Sequence, residues 1–136
     1  MSESHSFILT VVCPDAVGIV AAVAGYLTAQ EYFIEESTHF GDPDTGTFFM
    51  RTRFIPRQQS FSRGTFAAGF DAIATRFGMD WHVYDPRILP RVLIMVSKHD
   101  HCLNDLLYRY RTGALRMTIP AIVSNPADFA DLAASY

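Results

Sequence analysis

The alternation of apolar and polar positions divides the chain into short elements of changing period. Phe7 to Val12 (Phe-Ile-Leu-Thr-Val-Val) is aromatic and β-branched, which predicts a strand buried on at least one face. Pro14 lacks a backbone N–H and ends it. Asp15 is then placed to cap a helix by accepting the amide of Val17 or Gly18, and Ile19, Val23, Tyr26 and Leu27 recur at helical spacing behind it. Glu31–Phe40 and Thr47–Ile55 read as two strands joined by the turn-rich Gly41-Asp42-Pro43-Asp44-Thr45-Gly46. In the second of them Phe48, Met50, Thr52 and Phe54 share one face, suited to helices, and Phe49, Arg51, Arg53 and Ile55 share the other. A second helix is predicted from about Ser62, with Phe66, Phe70, Ile73 and Phe77 on its stripe and Gly78 as its stop. Met79 to Tyr84 alternates again, Trp81 and Val83 opposing Asp80, His82 and Tyr84. The order β-α-β-β-α-β is the ferredoxin-like, α+β plan. Two helices cover one face of such a sheet, so the other face or an edge is open to self-association.

At residues 85–90 the pattern breaks. Asp85-Pro86-Arg87-Ile88-Leu89-Pro90 fits neither period and carries two prolines, so 1–85 reads as one domain and 86–90 as a linker. From Arg91 the class changes to α/β. Val-Leu-Ile-Met-Val at 92–96 predicts a parallel strand buried on both faces. Leu103, Leu106, Leu107 and Tyr110 form a helical stripe ending at Gly113, and Ile119–Ser124 is a second strand with Pro120 near its start. Asn125, Pro126 and Asp128 then carry the marks of a helix start. This is the opening βαβα of a doubly wound, Rossmann-like domain. A segment of residues 91–136 is too short to bury a sufficient core alone, so the chain is expected to be the front part of a longer protein.

Composition narrows the function classes. With 49% hydrophobic residues the chain can bury a real core, and a net charge of −3 argues against a general nucleic-acid or anionic-membrane binder. Two cysteines, Cys13 and Cys102, make no disulfide framework and suit a reducing cytoplasm. No secretory signal or membrane-spanning window is visible.

Candidate chemistry falls in two places. The turn Asp15-Ala16-Val17-Gly18-Ile19 offers the amides and dipole of a helix start to an anion such as a small molecule's carboxylate. Gly18 there implies close approach by a ligand or backbone, or else close packing of the helix on the sheet. The loop Ser97-Lys98-His99-Asp100-His101 follows a buried strand at its carboxyl end, where open α/β sheets place ligands. Its His, Asp and Cys102 donors have no remote cluster to complete a metal site, and it lacks the glycines of a phosphate cradle. Cys13 reads as a small buried hydrophobe, not a nucleophile. No catalytic set stands out by spacing.

Cys13-Pro14-Asp15-Ala16-Val17-Gly18-Ile19-Val20 resembles the strand–turn–helix of ACT domains, amino-acid-sensing β-α-β-β-α-β modules. Such a module followed by Arg91–Arg109 and by Ile122-Val123-Ser124-Asn125 resembles the formyltetrahydrofolate deformylases. The resemblance implies a cytoplasmic hydrolase without cofactor that converts its folate substrate, 10-formyltetrahydrofolate, to tetrahydrofolate and formate for one-carbon and purine metabolism. It implies Asp15–Ile19 as effector site for methionine or glycine, a homo-oligomer formed through the ACT domain, and Ser97–His101 as a substrate-side loop. The family's catalytic Asn, His and Asp are expected beyond Tyr136, so residues 1–136 alone are expected to be inactive. Related glycinamide ribonucleotide formyltransferases carry a glycine- and asparagine-bearing phosphate loop where this chain has Lys98-His99-Asp100-His101-Cys102, which fits transfer to water. A formyltransferase, or an amino-acid-binding module without catalysis, are the alternatives.

Overall fold

The computed structural model describes residues 5–57, 60–124 and 130–136. The chain forms two compact units, one ending at Pro86 and one beginning at Arg87.

In the first unit β1 (Phe7–Pro14), β2 (Tyr32–Asp42), β3 (Thr47–Pro56) and β4 (Asp80–Tyr84) form an antiparallel sheet in the order β2-β3-β1-β4. Helices α1 (Ile19–Ala29) and α2 (Arg63–Phe77) contribute Ile19, Val23, Leu27, Phe66, Phe70 and Ala74 to the core. The period-2 pattern of β3 works as read: Phe48, Met50, Thr52 and Phe54 are all buried against the helix side. Leu9, Val11 and Cys13 of β1 and Val83 of β4 complete that face. Thr52 is polar yet fully buried, and its hydroxyl lies 2.9 Å from that of Ser37 on the neighbouring strand, which removes the cost of burying it.

Phe66 is the centre of the packing. Its ring lies 5.3 to 5.8 Å from those of Tyr26, Phe54, Phe61, Phe70 and Trp81. The Tyr26 hydroxyl donates to the Phe66 carbonyl at 2.9 Å, tying α1 to α2. Partial burial pushes the Tyr26 and Tyr32 phenols above their ordinary values, Tyr32 adding to the effect at Tyr26. Helix α2 begins and ends at the predicted signals. Ser62 accepts the Thr65 amide at 3.4 Å, and Gly78 at φ 66° lets the Met79 amide reach the Ala74 carbonyl at 2.9 Å. Ala74 takes the buried place on the stripe, and Ile73 packs beside it half-buried.

The β2–β3 hairpin is tighter than predicted. Pairing runs on to Asp42 and Thr47, leaving Pro43–Gly46 as the loop. The Asp42 carboxylate accepts the Thr45 hydroxyl at 2.7 Å and the Asp44 amide at 3.0 Å, which lowers its pKa, the hydroxyl contributing most.

In the second unit β5 (Arg91–Val96) pairs parallel with β6 (Thr118–Ser124), with α3 (His101–Arg111) and the short α4 (Ala130–Ala134). Val92, Ile94 and Val96 meet Leu103 and Leu107 of α3 and Leu132 of α4. The expectation that β5 is buried on both faces is corrected. Leu93 and Met95 point to the opposite face and are 54% and 76% exposed, as is Val123 at 47%. Continuous apolar character marks a strand that suits burial on both sides, but the described helices cover one side only. Pro120 sits where the register shifts between Arg91 and Leu93, so its missing N–H falls at a bulge. The predicted helix start at Asn125, Pro126 and Asp128 lies outside the described residues. No helix among the described residues is long and apolar enough to cross a membrane.

Candidate functional site

The turn between β1 and α1 is built differently from the sequence reading. Asp15 does not cap α1. Its amide donates to the Gly46 carbonyl at 2.9 Å, pinning the turn to the β2–β3 hairpin, and its carboxylate lies over Gly41. The cap position is Gly18, at φ 94° and ψ 0°, with no side-chain hydrogen bond to the first turn. A left-handed residue at the cap carries the chain from strand to helix in one step, and this conformation selects glycine there. A Cβ at Gly18 would come no nearer than 4.0 Å to Phe77, an ordinary contact. Close packing against helix or sheet is therefore not the reason for the glycine; the backbone angle requires it.

Asp15, Ala16, Val17 and Gly18 are exposed, and Val17 is 99% exposed. Ile19, predicted with them, is instead a core residue at 2% exposure, and only its backbone amide belongs to the turn. What the turn offers a ligand is the uncapped helix start, the aliphatic surface of Val17 and Val20, and the Asp15 carboxylate set to one side. Cys13, just before it, is buried, and burial followed by the nearby Asp15 charge raises its thiol pKa. That is the opposite of an activated nucleophile.

At the other end of α1 the structure shows a polar cleft of about 300 Å³ that sequence reasoning missed, lined by Gln30, Glu31, Ser60, Ser62 and Thr65. Glu31 there is the described non-glycine residue with positive φ, at 57°. A glutamate in a left-handed turn carries no distinctive sequence signal, so its position was not legible.

In the second unit Ser97–Asp100 follow β5, and His101 opens α3. All five residues are exposed. Val96 pairs with Ser124, so the loop stands at the carboxyl edge of both parallel strands, as the α/β reading requires. Asp100 occupies the cap position of α3; its carbonyl accepts the Asn104 amide at 2.8 Å, and its side chain makes no capping bond. The His99 and His101 rings lie 6.4 Å apart. Among the described residues no group of three His, Cys, Asp or Glu is placed to hold a metal ion. The two predicted sites lie in different units. The loop is a polar rim at a strand end, able to hydrogen-bond a ligand and carrying no assembled base, nucleophile and oxyanion donor.

Comparison with known proteins gives this geometry its context. No protein-family model matches the chain. Among curated relatives, the formyltetrahydrofolate deformylase of Corynebacterium sp. (strain P-1) is 35% identical over the whole chain and 48% of its own length. That of Bacillus subtilis is 36% identical over 91% of the chain and 42% of its own length. The crystal structure of formyltetrahydrofolate deformylase from Burkholderia mallei superposes with a TM-score of 0.82 at 45% identity, over 96% of this chain and 46% of that one. An ACT domain protein from Streptococcus pneumoniae shares the fold alone, at TM-score 0.51 and 20% identity over 60% of the chain. The chain spans about half the length of the curated relatives it matches. In sequence and in fold it is a homologue of the formyltetrahydrofolate deformylases, with an ACT-like βαββαβ unit preceding a parallel α/β segment.

Proposed function

We propose that this chain serves a formyltetrahydrofolate deformylase, an enzyme that hydrolyses 10-formyltetrahydrofolate to tetrahydrofolate and formate. The observation that carries the reading is the match along both units at once, at 45% identity and TM-score 0.82 to a solved deformylase. An ACT-like fold alone would fit many regulated enzymes, and a two-stranded α/β segment alone would fit many more. In the reaction, water attacks the formyl carbon, a base takes its proton and a donor steadies the oxyanion. The Ser97–His101 loop, at the carboxyl edge of β5 and β6, lines one side of the folate pocket. The groups that move protons come from outside this chain's described residues, and no cofactor is required.

The first unit is the regulatory one. An amino acid, methionine or glycine, lays its carboxylate on the uncapped amides after Gly18 and its side chain against Val17 and Val20. The chain self-associates through this unit. A cytoplasmic setting fits two cysteines that are both free, one of them exposed.

The test is an acceptor competition. A protein in which this chain is joined to the complementary half of the Corynebacterium relative is supplied with 10-formyltetrahydrofolate, with and without a phosphorylated amine. Formate release that is indifferent to the amine supports the reading. Formyl transfer to the amine in place of formate would overturn it in favour of a formyltransferase.

A further inference from the structure

Glu31, in the polar cleft at the far end of α1 from the Gly18 turn, is disfavoured twice by its surroundings. It stands just past Gln30, the cap of α1, at φ 57°, a left-handed position that glycine or asparagine usually fills. It also puts an acidic side chain at the negative end of the helix dipole, where a cation is favoured. The protein supplies no offsetting cation. The last turn of α1 has no basic residue, and among the described residues no Lys or Arg lies within ion-pair distance of Glu31. Arg57, which follows β3, is placed over the Phe33 ring at 4.5 Å. A local rule broken twice at one residue, with nothing in the chain to compensate, is the mark of a functional position.

The cleft beside it has the size and lining of a small-molecule site. Its volume of about 300 Å³ is many times what a single water or bare ion fills. Glu31 is the one charged residue of the lining, and Gln30, Tyr32, Ser60, Ser62 and Thr65 add an amide and four hydroxyls. The strand registers locate it. Tyr32 opens β2 opposite Pro56, and Tyr84 closes β4 opposite Ile8, so the cleft is at the end of the sheet where the chain leaves β4. The Gly18 turn is at the other end, separated by the 11 residues of α1, roughly 16 Å of helix.

We propose that this cleft binds a small polar molecule through a primary ammonium group. The Glu31 carboxylate is its counter-ion, and the hydroxyls of Ser60, Ser62 and Thr65 meet the polar atoms at its other end. An ammonium supplies three donors to a carboxylate and to the carbonyl end of α1, so it offsets the charge that the helix end disfavours. A divalent metal ion is the poorer occupant, because it needs several oxygen ligands with more than one carboxylate among them, and Glu31 is alone. Amino alcohols and free amino acids share the required chemistry. The proposal goes beyond the reading above: it is a second site on the first unit, independent of the reaction and of any ligand at the Gly18 turn.

The test is a titration of the 15N-labelled chain followed by its amide resonances, at constant ionic strength and without folate. Ethanolamine and L-serine are the probes, and ethylene glycol and glycerate are their counterparts with a hydroxyl in place of the ammonium. Saturable shifts at Glu31, Ser62 and Thr65 are expected from the amines and none from the counterparts. Tighter binding of ethanolamine assigns the site to amino alcohols, and tighter binding of serine to amino acids. Glu31→Gln keeps the shape, removes the charge and weakens binding about tenfold. Glu31→Gly removes both costs, so the urea midpoint of the free chain rises and no longer responds to the amine, which keeps the test open should the glutamine variant fail to fold. Amines that leave these amides unmoved, shifts confined to Val17–Ile19, or counterparts that bind as well as the amines would overturn the proposal. So would a Glu31→Gln chain that binds like wild type, or a Glu31→Gly chain no more stable than wild type.

Discussion

Replacing Gly18 isolates what a single backbone angle is worth. At φ 94° an L-residue sits in the left-handed region, at a cost of roughly 1–2 kcal/mol for an ordinary side chain. Alanine recovers about 0.4–1 kcal/mol of that by reducing the freedom of the unfolded chain. Since its Cβ would stop 4.0 Å from Phe77, packing adds nothing to the balance. Gly18→Ala is therefore expected to destabilise the first unit by about 1 kcal/mol. Asparagine tolerates this conformation and should cost less, whereas valine, branched at Cβ, should cost about 2 kcal/mol or more. Gly69 supplies the contrast. It lies within α2, where alanine is about 1 kcal/mol better than glycine. A Cβ there would fall 2.6 Å from the Tyr26 hydroxyl, so Gly69→Ala must displace the ring that bonds the Phe66 carbonyl. The assay is urea unfolding followed by Trp81, which packs on Phe66 and Phe70 and reports this unit. The order of stability predicted at position 18 is Gly, Asn, Ala, Val. Equal midpoints for Asn and Val, or a Val variant as stable as wild type, would refute the assignment of this glycine to its backbone angle.

Phe66→Ala should cost about 3–5 kcal/mol, because it empties the centre of the aromatic cluster, and Phe66→Leu clearly less; the same urea midpoints measure both. Cys102 is exposed and should react promptly with a thiol reagent at mildly alkaline pH, while Cys13 should react only on unfolding. The folded state holds the Cys13 proton more tightly than the unfolded state, whose ordinary thiol value is 9.0. Stability attributable to this group is thus complete below that pH and falls as pH rises through the raised folded value. Cys13→Ala should flatten that alkaline decline in a pH series of unfolding midpoints; an unchanged slope would contradict it.

Much of this structure was legible because local signals and burial agree. Ser62, the phenylalanine stripe and Gly78 mark α2 at both ends, and the alternation in β3 sorts its side chains correctly between the two faces. The turn after β1 misled for a physical reason. Aspartate before a helix is the usual cap, but here a left-handed glycine starts the helix and leaves Asp15 to bond the hairpin at Gly46. Ile19 fell within the candidate site by its place in the chain, and the helix turns its side chain into the core. The apolar run in β5 showed that the strand suits burial on both sides without showing which side the described helices would cover. Nothing in the sequence marked the cleft at Glu31, since positive φ at a glutamate leaves no pattern. The resemblance to deformylases rested on both units together, and the comparisons with solved deformylases extend along both.

Under the proposed function, this chain contributes regulation and one pocket wall to a hydrolase whose chemistry needs further residues. Formate release from 10-formyltetrahydrofolate, read by a coupled formate dehydrogenase, tests it most directly on two proteins: the 136-residue chain alone, and the same chain joined to the complementary half of the Corynebacterium deformylase. Loss of catalytic groups costs factors of about 10² to 10⁴ each, so the chain alone should release no formate above background. The joined protein should turn over. Robust hydrolysis by the short chain, or a joined and folded protein that releases no formate, would contradict the account.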